Sequence, residues 1–257
     1  MFNLIDYIKE ARHYNVLKSL NLLRDLECSV EFSDITGDLI IDTTNLKEIS
    51  PSNDLIRRMR ASFLIVGPML SRFGRCKISM PGGCNIGSRP VDLHLKGFSL
   101  LGAEIKNTHG VITASAKSLS GNKIYLDFPS VGATENIIMA AVLADGITVI
   151  ENCASEPEII DLIEFLNKCG ANISYSGSKC IKIKGVKSLL GCEYSIIPDR
   201  IVASTYISFS GKFAFKIKAF DTTQISVQSP QSSISSIGSL HSQRICGSSP
   251  LPKVTLS

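Results

Sequence analysis

Val91–Ile105 reads VDLHLKGFSLLGAEI, and Gly110–Ser115 follows as GVITAS. The first half has the apolar spacing of an amphipathic helix, and the remainder reads as a short strand, a turn and a second strand. The same order of elements recurs on either side. LNLLRDLECSVEF at 20–32 leads to DLIIDT at 38–43, and EIIDLIEFLNKCGANI at 158–173 leads to KCIKIKGV at 179–186. Leu26, Leu101 and Cys169 fall at equivalent places, so the copies are offset by 75 and then 68 residues. Solenoid repeats have periods of roughly 20–50 residues, so this pattern suits a domain of a few βαβ-type units packed around internal helices. Two further helices separate the copies. One is expected from Asp54 to Phe73, closed by Gly74 as a C-cap. The other is expected from about Ala133 to Leu143, ahead of a β-branched strand at Ile147–Ile150. The middle of the first, ASFLIVGPML, is apolar on nearly every side and the second is largely apolar, as interior helices are. The fold class expected is α+β.

The chain of 257 residues is 44% apolar, enough for a sizeable core. No run approaches the roughly 18 uninterrupted apolar residues of a membrane span, and MFNLIDYIKEARHYN lacks the profile of a signal peptide. The eight cysteines form no C-x-x-C pair, and the four histidines are scattered. Neither a zinc site nor a disulfide framework is suggested, and a reducing, cytoplasmic setting is expected. The net charge of +4 lies wholly in the tail: residues 209–257 hold five basic residues against one acid, Asp221. The body therefore carries no basic bias toward nucleic acid. Thr222–Ser257 holds 11 serines in 36 residues and no acid. Such a segment offers too little apolar surface to offset its ordering entropy, and it is expected to be disordered or poorly packed.

Four groups of residues are candidates for chemistry. In Pro81–His94, PGGCNIGSRPVDLH, Cys84 follows two glycines and precedes Arg89 by five residues. Glycines let backbone N–H groups approach an anion, and a nearby cation favours a thiolate. Pro90 suits the first position of a helix whose leading N–H groups, on Val91, Asp92 and Leu93, attract acceptors. An anionic-substrate site with a reactive thiol and a glycine turn with an incidental cysteine are both compatible with this pattern. A second loop, Asp127–Thr134, repeats the theme, with Ser130, Val131 and Gly132 at a helix start; an ordinary N-cap is the simpler reading. Arg57, Arg58 and Arg60 precede the first internal helix, and Arg60 is the one placed to face a site. Glu156, Glu158 and Asp161 form a carboxylate group, but Ser155-Glu156-Pro157-Glu158 also fits a capping box with an early helical proline, and that reading is favoured. His94 is expected to be a packed or surface residue rather than a ligand.

RRMRASFLIVGPMLSRFG (57–74), PGGCNIGSRPVDLHLKG (81–97), LDFPSVGATENI (126–137), ENCASEPEIIDL (151–162) and IPDRIVASTY (197–206) together resemble the UDP-N-acetylglucosamine enolpyruvyl transferases of peptidoglycan synthesis. The likeness runs from about residue 15 to 206. The related 3-phosphoshikimate enzymes share that fold but lack the cysteine loop. The resemblance implies two pseudo-symmetric domains, each of three repeats with helices inside and sheets outside, an αβ prism. It implies transfer of enolpyruvyl from phosphoenolpyruvate to the 3′-hydroxyl of UDP-N-acetylglucosamine, with phosphate released and neither metal nor other cofactor required. By matching position, Cys84 would be the proton donor and the thiol alkylated by fosfomycin. Arg89 would meet phosphoenolpyruvate, and Arg89, Pro90, Val91, Asp92 and Leu93 would hold the uridine part. Ser130, Val131 and Gly132 would lie at the diphosphate, with Arg60 facing the cleft. The family's Lys-Asn pair ahead of the first repeat has no match, and the likeness ends near Tyr206. The expectation is therefore one catalytic-loop domain at 1–208, with its first repeat incomplete and a second domain missing. An aberrant tail would follow at 209–257, a disrupted reading frame being one origin. Such a fragment is expected to be inactive by itself, with a non-catalytic sugar-nucleotide-binding remnant as the alternative.

Overall fold

The computed structural model describes residues 19–32, 39–44, 46, 56, 59–81, 91–197 and 199–201, and the backbone of 216–220 and 224–228. These residues fall into two compact units that divide after Glu193. In the first unit, helix α1 (described over 19–25) leads to strands β1 (Ser29–Phe32) and β2 (Leu39–Asp42). A 3₁₀ segment (Arg60–Ile65), α2 (Val66–Phe73) and β3 (Arg75–Ser79) follow. Next come α3 (Asp92–Leu100), β4 (Glu104–Thr108), β5 (Val111–Ser115) and β6 (Lys123–Tyr125). The unit closes with α4 (Val131–Ala141), β7 (Ile147–Glu151), α5 (Pro157–Lys168), β8 (Asn172–Tyr175) and β9 (Cys180–Lys184).

The three copies read in the sequence end their helices on the same hydrogen bonds. Cys28, Ala103 and Ala171 donate their N–H to the carbonyls of Leu23, Phe98 and Leu166, five residues back in each case. The residue before each donor is left-handed: Glu27 at φ 61°, Gly102 at 96° and Gly170 at 95°. This is the Schellman closure, which satisfies end carbonyls while reversing the chain into the following strand. Leu26, Leu101 and Cys169 precede the left-handed residue in every copy, so the offsets of 75 and 68 hold at the level of individual bonds.

The two larger sheets turn one face inward. β1 pairs with β2, β3-β5-β4 form an antiparallel sheet, and β6-β7-β9-β8 form a mixed one in which β6 and β7 run parallel. That parallel pair is joined through α4, a βαβ crossover. Ile112 and Ala114 on β5, and Ile181 and Ile183 on β9, alternate with more exposed neighbours, as a half-buried sheet requires. Helix α4 packs against the 3₁₀ segment, α2, α3 and α5. Seven of its residues are buried, Asn136 and Thr134 among them. It is an interior helix, as its apolar run led one to expect.

Several boundaries differ from the sequence reading. Among the described residues, 54–73 is not one continuous α-helix: Ile56 is helical, Met59 is not, residues 60–65 are 3₁₀, and Val66–Phe73 is α-helical. The Ser62 hydroxyl donates to the Met59 carbonyl, an alternative to the helical ladder of the kind serine offers. Gly74 does close α2, at φ 70° with its N–H on the Leu70 carbonyl. Helix α3 starts at Asp92 with Val91 as N-cap, and Pro90 lies outside the described residues. α4 starts at Val131, two residues earlier than expected. The expected capping box is absent: the N-cap of α5 is Glu156, which caps through no side-chain bond, and its carboxylate instead accepts the Ser155 N–H at 2.9 Å. Pro157 does occupy the first turn. In the second unit, β10 (Lys216–Phe220) and β11 (Gln224–Gln228) pair antiparallel. Residues 202–215 and 229–257 lie outside the described residues.

Candidate active site

Cys84, Arg89, Pro90, Arg57 and Arg58 lie outside the described residues. Arg60, Val91, Asp92, Leu93, Ser130, Val131 and Gly132 are described, and they fall at the starts of three elements. Arg60 opens the 3₁₀ segment, Val91 caps α3, and Ser130 caps α4. The Ser130 hydroxyl accepts the Ala133 N–H at 3.4 Å, and its carbonyl accepts the Thr134 N–H at 2.9 Å. Ser130 is therefore the N-cap that its position suggested.

His94 joins these starts. It lies on α3 and is 6% exposed, the packed histidine that was expected. Its ring faces the start of α4: a methyl group placed on Gly132 would lie 3.4 Å from Cε1 and 3.7 Å from Nε2. It also stands edge-on to Phe63 with centroids 5.2 Å apart. Burial, and then the positive charge of Arg60, push the His94 pKa down to about 4. The ring is thus neutral at physiological pH.

Asn136 fixes its orientation. This fully buried side chain accepts the Gly67 N–H at 2.8 Å through Oδ1 and donates to the Phe63 carbonyl at 2.9 Å through Nδ2. The same Nδ2 lies 3.1 Å from His94 Nδ1. An amide has two N–H donors, so one serves Phe63 and the other serves His94. Nδ1 is then the acceptor, and the imidazole proton sits on Nε2, the nitrogen toward Gly132. One amide holds the 3₁₀ segment, α2, α3 and α4 in register.

Two contacts steady the second loop, one exposed and one part-buried. Lys96 Nζ lies 2.9 Å from both carboxylate oxygens of Asp127, and Asn152 Nδ2 donates to the Leu126 carbonyl at 2.8 Å. The ion pair is solvent-exposed and contributes under about 1 kcal/mol; its role is to tie α3 to the loop before α4. A carboxylate group does form, with a member the sequence reading passed over. Glu135 on α4 is pushed up to about 7 by burial, then by the charges of Glu158 and Glu156. Glu135, Asn136 and Lys96 were not singled out from the sequence. A Glu-Asn pair inside an otherwise apolar helix was the available signal for the first two. A separate cavity of about 390 Å³ lies around the C-terminal turn of α2, between Leu70–Gly74 and Ala116–Leu119, and includes none of the predicted site residues.

A sequence profile described as EPSP synthase (3-phosphoshikimate 1-carboxyvinyltransferase) matches residues 12–228. The chain belongs to that family. The match includes both β10 and β11, so family likeness extends past Tyr206, where it was expected to end. Among curated members, UDP-N-acetylglucosamine 1-carboxyvinyltransferase 1 of Clostridium acetobutylicum is 56% identical over 198 residues, covering 77% of this chain and 47% of that protein. The enzyme of the same name from Caldanaerobacter subterraneus subsp. tengcongensis is 54% identical over 75% of this chain and 48% of its own length. The chain spans about half the length of the curated relatives it matches. Solved structures of the enolpyruvyl transferase family share the fold. The enolpyruvyl transferase NikO from Streptomyces tendae superposes with a TM-score of 0.61 at 21% identity, over 72% of this chain and 44% of that one. EPSP synthase from Acinetobacter baumannii gives 0.53 at 22% identity, over 68% and 40%. The unit is thus the α+β enolpyruvyl-transferase fold expected from the sequence.

Proposed function

We propose that this chain carries the cysteine-loop half of an enolpyruvyl transferase acting on UDP-N-acetylglucosamine and phosphoenolpyruvate, in the cytoplasmic synthesis of peptidoglycan precursor. The approach of His94 to Gly132 carries the proposal, because it sets the N-termini of α3 and α4 side by side with Arg60 next to them. Helix N-termini present unsatisfied N–H groups and a partial positive charge, which suits a nucleoside diphosphate. The names of relatives at 53–56% identity support the same substrate over shikimate 3-phosphate.

In this reading Val91, Asp92 and Leu93, with Arg89 and Pro90, hold the uridine end, and Ser130, Val131 and Gly132 lie along the diphosphate. Arg60 supplies positive charge toward the anionic substrate. Cys84 delivers the proton to the enolpyruvyl methylene carbon, and Arg89 meets the phosphoenolpyruvate. The sugar 3′-oxygen attacks the enolpyruvyl carbon and its proton must leave to a base; a proton is then lost from the methyl group formed by the first transfer, the double bond re-forms, and inorganic phosphate departs. The chain spans half the length of its relatives, and a cleft with one wall loses most of its contacts. The 257 residues alone are therefore expected to bind the sugar nucleotide weakly without turnover.

The test is phosphate release by this chain completed at both ends with the opening segment and the C-terminal half of a curated relative. Release that requires UDP-N-acetylglucosamine, and falls steeply in Cys84→Ala, is the expected result. Release that requires shikimate 3-phosphate instead would overturn the assignment.

A further inference from the structure

Each helix-to-strand repeat must hold its returning chain against the helix end, and the second and third repeats do so differently. In the second, the Ser120 N–H donates to the Leu101 carbonyl at 2.9 Å, and two residues on Asn122 Nδ2 donates to the Leu100 carbonyl at 2.8 Å. In the third, the Leu190 N–H donates to the Cys169 carbonyl at 2.7 Å. Leu101 and Cys169 are the equivalent helix-end residues, so Leu190 takes the place of Ser120 and Cys192 takes that of Asn122. Cys192 Sγ lies 3.2 Å from Cys169 Sγ, and both thiols are free. The amide clamp of one repeat has become a pair of facing sulfurs in the next.

We propose that Cys169 and Cys192 form a redox modification site, in which a low-molecular-weight disulfide converts the thiol contact into a covalent clamp on residues 185–192. A disulfide bond is about 2.05 Å long, so the sulfurs close by about 1.1 Å, within the reach of small χ1 adjustments. The two thiols have distinct roles. Cys192 is partly exposed, whereas Cys169 is 1% exposed at the end of α5. Cys192 meets the reagent first. Its thiolate attacks one sulfur of the disulfide RSSR, forming Cys192–S–S–R, and the displaced thiolate takes a proton and leaves as RSH. The Cys169 thiolate then attacks Cys192 Sγ, the bond to the R-bearing sulfur breaks, and a second RSH departs. Two protein thiols are oxidised, RSSR is reduced to two RSH, and the two thiol protons end on those products.

The second step is slow at neutral pH, because burial, the largest cause pushing the Cys169 thiol up to about 11 in the reduced chain, still acts once Cys192 is a mixed disulfide. It accelerates with alkalinity as the thiolate fraction grows. The spacing of 23 residues gives no hint of this pair in the sequence; the shared geometry of the repeat ends creates it.

The test treats the folded 257-residue chain with oxidised glutathione at about pH 7 and about pH 9, quenches with acid and alkylating reagent, and maps the peptides. The expected result is a Cys169–Cys192 linked peptide pair, lighter by about 2 Da than the two free thiols, that forms several-fold faster at the higher pH. In Cys192→Ser, Cys169 should stay unmodified. The cross-linked chain should also resist proteolysis within 185–192 more than the reduced chain. Accumulation of the Cys192 mixed disulfide without linkage at about pH 9 would overturn the proposal. So would equal linkage in urea-unfolded chain, or pairing of Cys169 with a different cysteine.

Discussion

Replacing Asn136 by alanine should destabilise the protein far more than its small change in volume suggests. The substitution removes three buried interactions: with the Gly67 N–H, the Phe63 carbonyl and His94 Nδ1. The Gly67 N–H is the most exposed to loss, since Gly67 stands in the first turn of α2, where backbone donors lack intrahelical partners. Each buried polar group left unsatisfied costs about 1–3 kcal/mol. Three such groups bound the effect at roughly 3–9 kcal/mol, and a water entering the vacated space recovers part of it. We expect a loss of about 3–5 kcal/mol, a large share of the roughly 5–15 kcal/mol by which domains are stable. The assay is urea unfolding followed by far-UV circular dichroism, which suits a chain without tryptophan. Asn122→Ala, which removes two exposed hydrogen bonds, one to the Leu100 carbonyl and one from the Lys123 N–H, serves as the reference and should cost about 1 kcal/mol or less. A loss below about 1 kcal/mol for Asn136→Ala would refute the view that this amide holds the four elements together.

His94 and Glu135 should tilt the pH dependence of stability in opposite directions. The His94 pKa falls from 6.5 unfolded to about 4 folded, so its contribution is present above about pH 6.5 and is lost as pH falls through 4. That gap corresponds to about 3 kcal/mol. His94→Gln should flatten the acid limb, and an unchanged limb would contradict the shift. Glu135 rises from 4.5 unfolded to about 7 folded, so its contribution is present below about pH 4.5 and is lost as pH rises through 7. Discounted for solvent screening, Glu135→Gln should gain about 1–2 kcal/mol at pH 8; a loss there would contradict the shift. Gly67→Ala should cost about 3 kcal/mol or more by urea titration, because its Cβ would overlap the Asn136 backbone carbonyl where α2 crosses α4. A cost under about 1 kcal/mol would mean that the helices separate without penalty. Glu27→Gly should stabilise by about 0.5–1 kcal/mol, since Glu27 at φ 61° occupies the left-handed place that glycine fills in the other two repeats. A lowered melting temperature would count against the equivalence.

The sequence by itself determined the repeats, the existence of the interior helices and the placing of Val91 and Ser130 at helix starts. Its signals there are local: apolar periodicity, a left-handed glycine after a helix, and Ser130 ahead of Val131 each act within about one helical turn. The order helix-strand-strand around Leu26, Leu101 and Cys169 therefore survives in the structure bond for bond. Local signals failed where a partner distant in the chain intervenes. The 3₁₀ segment at Arg60–Ile65 owes its carbonyl geometry at Phe63 partly to Asn136, 73 residues away. The capping box was lost because the Glu156 carboxylate took the adjacent Ser155 N–H. Only the tertiary structure decided that His94 is neutral and aimed at Gly132, that Glu135 shares space with Glu156 and Glu158, and that Cys169 faces Cys192. Each of these depends on desolvation or on contact between elements, and both are set by packing, which residue order encodes only through the completed fold.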